Sequence, residues 1–542
     1  MNLKKRWHKF YPKDIPEEVE IPKINLYEML DRSVKDYPEQ TAVVDERQEL
    51  TYGELKAKVD RLASSLHHNG FKKGERAILM FPNCAEYIIC YYAVLRLGGV
   101  VVQANPLYQV NELNHLLENS RSSWFFSTRD QREKMQKISG ITKNVYSSGE
   151  QELSEDEYDL YSLIEDIKMV DLPEVSILPK QDLAVLQYTG GTTGKSKGVM
   201  LTHYNLVANV YQSFIFTTKG LKRPGERVLA VAPFFHVYGM TSGLNLSVLR
   251  AAALICMKKF DVDRFIQVMK KHKPTLFSGV PTMYIAILDH PEASAETLQS
   301  IKRCISGSAP LPLEIMNKFE EKTGSQIIEG YGLSECSPVT HRNPVGDNRK
   351  PGSIGIPIPN TDAKVVDQFE GEEEVDLGGV GELIIKGPQV MKGYWNNEVE
   401  TASCMRDGWF YTGDLATMDK DGYFYIVGRK KDLIIASGYN VYPAECEEVL
   451  YEHPNVKEAC VFGVPNSYRG ETVKAVIVPK EGVSLTEDDI KSWCNEKIAR
   501  YKVPKEISFR DELPKTTVGK VLRRKLVEQE VEKDKIGAKE KK

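Results

Sequence analysis

The segment Tyr188-Thr-Gly-Gly-Thr-Thr-Gly-Lys-Ser-Lys-Gly198 concentrates the chemistry that binds phosphate groups. Gly190, Gly191 and Gly194 leave backbone N–H groups free to approach an anion closely. Side-chain hydroxyl and ammonium donors surround these glycines, namely Thr189, Thr192, Thr193, Ser196, Lys195 and Lys197. An ordinary polar surface loop needs no such density of donors, whereas a triphosphate does. The segment therefore predicts a phosphate-binding loop.

This loop narrowly misses the phosphate loop of nucleotide hydrolases and kinases, G-x-x-x-x-G-K-[ST]. Gly194-Lys195-Ser196 fits the end of that motif, but Thr189 stands where its first glycine is required. The flanking pattern also differs, because Leu183-Ala-Val-Leu-Gln-Tyr188 and Val199-Met-Leu201 both have the composition of strands. Thr202 is a good N-cap for a helix that follows. The pattern favours a strand–loop–strand element, and a phosphate-loop kinase or hydrolase is the alternative from a different class.

Composition narrows the class of protein. The 542 residues allow several sizeable cores, and the net charge of −4, from 72 basic and 76 acidic residues, gives no electrostatic reason for nucleic-acid binding. The nine cysteines are dispersed and form no C-x-x-C pair, which favours a reducing compartment and predicts no zinc site. No apolar run approaches the roughly 18 residues that span a bilayer. We therefore expect a cytoplasmic protein.

The basic start of the chain lacks the apolar region of a signal peptide. It nevertheless combines positive charge with aromatic rings, in Lys4, Lys5, Arg6, Trp7, Phe10 and Tyr11. Peripheral contact with the inner face of the membrane stays open on this ground, and so does a homodimer.

Helical and strand-like segments alternate along the chain. Helical periodicity is found in Leu26–Tyr37, Tyr52–Asn69 and Glu86–Leu97, and short apolar strands in Arg76–Met80 and Gly98–Gln103. Such alternation predicts an α/β fold with largely parallel sheets.

Several stretches depart from this alternation. Residues 131–180 are polar and irregular, and they predict a surface excursion ahead of the loop. Prolines and an acidic run in residues 344–380 indicate the edge of a β-rich lobe. From about residue 431 a fresh pattern of helices and strands is long enough for one small α+β domain. The charged tail 527–542 predicts a solvated helix end.

Four further segments resemble those of adenylate-forming enzymes in their order and approximate spacing. They are Glu329-Gly-Tyr-Gly-Leu-Ser-Glu335, Tyr411-Thr-Gly-Asp414, Gly428-Arg-Lys-Lys-Asp432 and Pro514-Lys-Thr-Thr-Val-Gly-Lys520. With the phosphate loop they extend from 188 to 520, so the chain resembles an acyl-CoA synthetase over nearly its whole length. The doubled glycine at 190–191 and Pro233-Phe-Phe-His-Val-Tyr-Gly239 are most similar to the bacterial long-chain fatty-acid–CoA ligase branch.

This resemblance implies two domains and a two-step reaction. Residues 1–430 would form the N-terminal AMP-binding domain, and residues 431–542 a small mobile domain carrying the catalytic lysine. ATP, with Mg²⁺, would activate a fatty acid, long-chain in this branch, to an acyl-adenylate. Coenzyme A would then take the acyl group, releasing AMP after pyrophosphate. A medium-chain or aryl acid, loading of a separate carrier protein, and a non-catalytic nucleotide sensor are the alternatives.

The resemblance also implies roles for single residues on the nucleotide side. The β- and γ-phosphates would be held by Thr189, Gly190, Gly191, Thr192, Thr193, Gly194, Lys195 and Lys197. Glu335 would help to hold Mg²⁺, and Ser334, where the family more often has Thr, would contact phosphate. The adenine pocket would consist of Ser308, Ala309, Pro310, Glu329, Gly330 and Tyr331, with the tyrosine ring stacked on the purine. Asp414 would bind the ribose hydroxyls, and Arg429 the ribose or a phosphate.

The remaining implied roles concern catalysis and the acyl group. Lys520 would bridge the attacking carboxylate and the α-phosphate, and Lys431 would be the hinge of the C-terminal domain. After rotation, Ser437, Gly438 and Tyr439 would line the path of the pantetheine arm. His236 would stand between the ATP and acyl sites. The acyl channel would be lined by Phe277-Ser-Gly-Val-Pro-Thr282 and Gly330-Tyr-Gly332.

Overall fold

The computed structural model describes residues 5–138, 140, 143–147, 153–167, 170–189, 196–217, 220–436, 439–466, 470–516 and 519–530. Within these ranges, no helix has the length and apolar character needed to cross a membrane. The loop residues Gly190, Gly191, Thr192, Thr193, Gly194 and Lys195, and also Ser437 and Gly438, lie outside the described residues.

In the described part of the chain, strands β1 to β26 are, in order, Thr41–Val44, Glu49–Thr51, Arg76–Met80, Val100–Gln103, Trp124–Thr128, Lys143–Ser147, Glu157–Asp159, Leu183–Thr189, Lys197–Thr202, Arg227–Ala230, Ala253–Cys256, Leu276–Gly279, Arg303–Ser306, Ile327–Gly332, Val339–Arg342, Ile356–Pro357, Asp362–Val366, Gly381–Lys386, Met405–Arg406, Trp409–Met418, Phe424–Arg429, Ile434–Ala436, Tyr439–Val441, Val456–Asn466, Gly470–Pro479 and Glu506–Phe509.

Helices α1 to α15 of the same ranges are Leu26–Asp36, Tyr52–His68, Ala85–Arg96, Val110–Ser120, Arg132–Met135, Leu160–Glu165, His203–Phe216, Leu246–Arg250, Val262–His272, Pro281–Asp289, Ala295–Leu298, Leu313–Thr323, Glu398–Cys404, Pro443–Tyr451 and Glu487–Lys497. Short 3₁₀ turns occupy Arg6–Phe10, Arg129–Gln131, Ser334–Cys336 and Lys430–Asp432. A π-helical segment, Tyr238–Asn245, leads into α8.

Four sheets organise these elements. A seven-stranded sheet has the order β7-β6-β5-β3-β4-β8-β9, and a nine-stranded sheet the order β16-β15-β14-β13-β12-β10-β11-β1-β2. Most neighbours in both are parallel, and one large apolar core joins the two sheets. The predicted α/β architecture is confirmed.

The other two sheets are smaller and mainly antiparallel. One contains β17, β18, β20, β19 and β21, and it forms the β-rich lobe. The other contains β22 to β26, and α14 and α15 pack on it. Its main core draws on residues from Ile434 to Ile507.

Local sequence signals explain where the helices start. Asn25, Thr51 and Thr202 each accept a hydrogen bond from the backbone of the third helical residue, which closes a capping box. The predicted N-cap at Thr202 is therefore confirmed. The helices and strands predicted between residues 26 and 103 are all present, with ends displaced by two residues or fewer.

The prediction for residues 131–180 was wrong in part. This stretch contains α5, β6, β7 and α6, and β6 and β7 extend the seven-stranded sheet in parallel register. The strands are short, and they contribute few buried apolar side chains, such as Val145 and Tyr146. Such short runs of apolar residues do not stand out from a polar background.

Two described segments, around Trp7 and in residues 523–530, are packed more closely than their composition suggested. Residues 523–530 are helical, with Leu526 fully buried and Glu530 bound to Lys474 and Arg510, so this part of the tail is not a solvated helix end. At the start, Trp7 is 2% exposed and packs edge-on against Phe424. The ring of Trp7 therefore belongs to the core rather than to a surface that could contact a membrane.

Candidate active site

A cleft of about 740 Å³ lies at the carboxyl ends of β13 and β14, facing the hairpin of β8 and β9. Ligands bind at this edge of parallel sheets because the strands end there and loops diverge. The sequence-predicted residues that line it are Thr189, Lys197, His236, Ser308, Gly330, Tyr331, Ser334, Glu335, Arg429, Lys431 and Lys520. Residues from each of the five sequence motifs thus meet in one cavity.

The described ends of the phosphate loop are held by an antiparallel ladder. Tyr188 pairs with Gly198, and Thr189 with Lys197. The Lys197 ammonium forms an ion pair with Glu400 and lies 5.4 Å from the centre of the Tyr394 ring. This strand–loop–strand setting is the one predicted from sequence, and it does not support the kinase or hydrolase alternative, whose loop passes directly into a helix.

Glu335 lies in the 3₁₀ turn that follows β14. Its Oε1 accepts a hydrogen bond from the hydroxyl of the buried Tyr394 at 2.8 Å, which fixes the carboxylate at the wall of the cleft. The described residues contain no cluster of three or more potential metal-ligating side chains. A single carboxylate fits Mg²⁺, which binds through one or two carboxylates together with substrate phosphates and water.

Asp414 joins two of the predicted nucleotide residues. Its Oδ2 accepts a hydrogen bond from the Tyr331 hydroxyl at 2.6 Å, and its Oδ1 lies 3.0 Å from Arg429 Nε. Asp414 and Arg429 are directly opposite each other on β20 and β21, so strand register brings the charges together. Asp414 raises the pKa of Arg429, while burial and Asp414 raise that of Tyr331.

Glu329 lies one residue before the cleft-lining part of β14. Its Oε2 accepts the Gly352 N–H at 3.1 Å, and burial raises the pKa of Glu329 to about 7. Ala309 and Pro310 follow Ser308 in the turn after β13, and Ser308 has a positive φ of 69°. Neither Ala309, Pro310 nor Glu329 is among the residues that line the cleft.

His236 is oriented by the backbone of its own turn. Its Nδ1 accepts a hydrogen bond from the Tyr238 N–H at 3.3 Å, so the neutral ring carries its proton on Nε2. Burial lowers the pKa of His236 to about 4, and the Lys520 charge acts in the same direction. Gly239 is required beside this turn, because a Cβ there would lie 2.2 Å from the Pro233 carbonyl oxygen. The ring is therefore held neutral.

Lys520 reaches the cleft from a tight turn, in which the Thr516 N–H donates to the Lys520 carbonyl. Gly519 has a φ of 73°, and a Cβ on it would lie 2.3 Å from Thr282 Oγ1. Lys520 keeps contact with solvent in the cleft, yet the surrounding protein and the Arg429 charge lower its pKa to about 8.

The segment around Lys431 is tied to the C-terminal sheet. Asp432 Oδ2 accepts a hydrogen bond from Arg523 Nη1 at 2.9 Å, and Arg523 also pairs with Glu447 at 2.6 Å. Burial and Arg429 lower the pKa of Lys431, which lines the cleft. Tyr439 does not line the cleft: its ring is exposed and stacks on Tyr501, with 4.7 Å between ring centres.

Sequence reasoning missed several residues of the site. Tyr394 positions Glu335 by a hydrogen bond, and Glu400 positions Lys197 by an ion pair. Arg523 positions the segment that carries Lys520, and Arg342 lines the cleft from β15. None of these four residues belongs to a recognisable motif, although Arg342 follows Glu335 by seven residues and Arg523 follows Lys520 by three. Only the tertiary structure identifies them.

Comparison with known proteins places the fold and the site in one family. Residues 30–395 match the AMP-binding enzyme family, and residues 445–520 match the AMP-binding enzyme C-terminal domain. The long-chain-fatty-acid–CoA ligase of Bacillus subtilis (strain 168) is 44% identical, over 98% of this chain and 99% of that protein. Feruloyl-CoA synthase of an Amycolatopsis species is 36% identical, over 91% and 96% respectively.

A solved structure agrees with these matches. The crystal structure of ATP-bound MatB from Rhodopseudomonas palustris superposes with a TM-score of 0.85 at 31% sequence identity. The match covers 93% of this chain and 99% of that one. Matches of sequence, of both domain families and of fold therefore coincide over nearly the whole chain, which belongs to the AMP-binding enzyme family of adenylate-forming ligases.

Proposed function

We propose that this protein uses ATP to activate a long-chain fatty acid and then transfers the acyl group to coenzyme A. The observation that carries the proposal is the full-length similarity to the Bacillus subtilis ligase, combined with the meeting of Lys520, His236, Glu335 and Arg429 around one cleft. In the first step a carboxylate oxygen attacks the α-phosphorus of ATP, and the bond to the bridging oxygen breaks to release pyrophosphate.

Charge is the obstacle to that first step, because a carboxylate must approach a polyanion. The Lys520 ammonium can contact both anions as they meet and stabilise the charge of the transition state. His236 is neutral with its proton on Nε2, so it can donate a hydrogen bond to the carboxylate without a competing charge. The pair is therefore suited to orienting the acid beside the α-phosphate.

The nucleotide would be held by the opposite wall. Asp414, fixed by Tyr331 and Arg429, would present carboxylate oxygens to the ribose hydroxyls, and Ser308 and Gly330 would contact the base from the cleft wall. Ala309 and Pro310 would support the base from the turn that Ser308 begins, and Glu329 from β14. The phosphates contact Ser334, Thr189, Lys197 and the loop residues between Thr189 and Lys197. When bound, Mg²⁺ on Glu335 neutralises phosphate charge. Lys197 on this wall would supply positive charge to the phosphates, and the hydroxyls of Thr189 and Ser334 would supply hydrogen bonds.

The second step requires the site to admit the thiol of coenzyme A. The thiol sulfur attacks the acyl carbonyl carbon, loses its proton and displaces AMP. We propose that residues 431–542 rotate as a unit about Lys431 relative to residues 1–430, which withdraws Lys520 and brings Ser437, Gly438 and Tyr439 to the pantetheine path. The separate core of the C-terminal sheet and the exposed position of Tyr439 support this.

Two measurements test the proposal. Acid- and CoA-dependent release of AMP and pyrophosphate from labelled ATP is expected, whereas ADP as the sole nucleotide product would refute adenylation. Lys520→Ala should reduce pyrophosphate exchange by about 10³-fold while preformed acyl-adenylate is still converted to thioester. An equal loss of both half-reactions would refute the two-state account.

An aryl or medium-chain acid is the second candidate substrate. The similarity to feruloyl-CoA synthase favours it, because that relative covers most of the chain at 36% identity. Transfer to a separate carrier protein would use the same adenylation chemistry. A series of alkyl and aryl acids, each assayed with coenzyme A and with a carrier protein, separates these substrates.

We also propose a cytoplasmic location with peripheral contact at the inner face of the membrane. All nine cysteines are free thiols, which fits a reducing compartment. Lys5 and Lys9 are exposed and could contact anionic lipid headgroups, although Trp7 cannot insert. Co-sedimentation with anionic vesicles tests this contact, and sedimentation velocity tests the proposed homodimer.

A further inference from the structure

Arg342 is a buried cation, and two of its donor nitrogens find no partner in the described part of the chain. It ends β15 and is 2% exposed, yet it lines the cleft. Its Nε and Nη1 atoms are buried without a hydrogen-bond acceptor, and within the described residues Arg342 belongs to no ion pair. Burying a charge without a partner is among the most unfavourable arrangements in a folded protein, so a compensating interaction is expected.

Arg250, the other fully buried arginine of this region, has hydrogen-bond acceptors for its guanidinium. Arg250 Nη2 donates to Thr217 Oγ1 at 2.6 Å and to the Phe214 carbonyl at 3.2 Å, and its guanidinium lies 4.7 Å from the centre of the Phe214 ring. Arg250 does not line the cleft. Arg250 Nε also lacks an acceptor, but Arg250 Nη2 makes two hydrogen bonds, whereas two nitrogens of the cleft-lining Arg342 have none.

The position of Arg342 selects the acyl side of the cleft. Arg342 pairs with Gly330 across the ladder of β14 and β15, and a Cβ on Gly330 would lie 3.6 Å from its Nε. Burial lowers the pKa of Arg342, and the nearby Tyr238, two residues beyond His236, is the group that interacts with it electrostatically. The Tyr238 hydroxyl donates to the Gly279 carbonyl at 3.4 Å, in the segment expected to line the acyl channel. The ribose-binding candidates already form their own group, in which Asp414 pairs with Arg429.

We propose that Arg342 binds a second carboxylate, carried by the acid substrate at a distance from the carboxylate that reacts. This inference rests on the proposed acid-activating function and refines its substrate class from a plain fatty acid to a dicarboxylic acid. A carboxylate matches the planar fork of a guanidinium with two parallel hydrogen bonds, which a methyl-terminated alkyl chain cannot form. Because Gly330 has no side chain, it leaves uncovered the side of Nε that a Cβ would approach to 3.6 Å.

The experiment compares α,ω-dicarboxylic acids with monocarboxylic acids of the same carbon number, from four to sixteen carbons, by AMP release with coenzyme A. In the wild-type enzyme kcat/KM should favour the diacid at one or more lengths. Arg342→Met should lower the diacid-to-monoacid ratio by about 100-fold, and Arg342→Lys by less. The KM for ATP should stay unchanged in both variants, since Arg342 contacts the acid.

Arg250→Met is the matched control, because it removes a buried guanidinium that does not face the cleft, and it should leave the diacid-to-monoacid ratio unchanged. Titration calorimetry of the same acids, without coenzyme A, measures binding separately from turnover. The inference is overturned if wild-type and Arg342→Met enzymes show the same ratio at every length, or if the variant loses affinity for ATP instead. Absence of AMP release with every acid would refute the proposed function, while calorimetry would still decide whether Arg342 binds the diacid.

Discussion

Arg523 Nη1 donates a hydrogen bond to Asp432 Oδ2 at 2.9 Å, which joins the segment carrying Lys520 to the segment carrying Lys431. Arg523 also donates from Nε to the Val461 carbonyl at 2.9 Å, so it is fixed within the C-terminal sheet. The position of Lys520 in the cleft therefore depends on a charged hydrogen bond next to the proposed hinge.

Asp432→Asn should weaken this connection without removing the acceptor oxygen. We expect pyrophosphate exchange to fall about tenfold, because a small displacement of a positioned group costs one to two orders of magnitude. Conversion of preformed acyl-adenylate should change less than about twofold. Lys497→Ala is the control: it breaks the exposed Lys497–Glu452 pair of the same sheet region, and such pairs contribute little. Equal losses in both half-reactions would contradict the prediction.

Gly519→Ala should impair adenylation through the backbone next to Lys520. Gly519 has a φ of 73°, and its added Cβ would lie 2.3 Å from Thr282 Oγ1, so the lysine turn cannot stay in the cleft. Pyrophosphate exchange should fall by about 100-fold, with thioester formation from the preformed adenylate retained.

Gly482→Ala separates backbone strain from this contact. Gly482 has a φ of 75° in the same part of the chain, but nothing lies within 4 Å of its added Cβ. That variant should lose stability by about 1 kcal/mol and keep both half-reactions. Equal effects of the two substitutions on pyrophosphate exchange would show that the Thr282 contact is irrelevant.

The sequence predicted the α/β fold, because capping residues and apolar periodicity act locally. Residues from each of its motifs line one cleft, whereas Asp414, Ala309, Pro310, Glu329 and Tyr439 do not. The sequence could not predict Arg342, Tyr394 or Arg523, since their importance arises from strand register and packing between distant segments. Tyr394, for example, acts on Glu335 across 59 positions of sequence. The short strand β6 was missed because its register on β5 is set by tertiary pairing rather than by its own composition.

The pH dependence of adenylation should reflect the ionisation of the Lys520 ammonium. Its pKa is lowered to about 8, and the charged form is the one that contacts two anions. The group is therefore protonated below about pH 8 and loses its charge above it, so kcat/KM for pyrophosphate exchange should fall as the pH rises through about 8.

Lys520→Arg tests that assignment, since arginine stays charged over the whole range. Its activity should be lower, but the alkaline decrease should disappear. A decrease near pH 8 that persists in Lys520→Arg would assign the titration to another group. His236 should not contribute near neutral pH, because its pKa is lowered to about 4 and the ring stays neutral.

Arg342→Met should stabilise the free protein, because it removes a buried guanidinium that forms no ion pair within the described ranges and whose Nε and Nη1 have no acceptors there. Replacing buried charge by an apolar side chain of similar volume gains about 1–2 kcal/mol, which corresponds to a rise of about 2 °C in Tm. Arg250→Met should instead lower the Tm, since it removes hydrogen bonds to Thr217 and Phe214. Scanning calorimetry without ligands measures both. A fall in Tm of the same size for both variants would show that Arg342 serves folding rather than substrate binding.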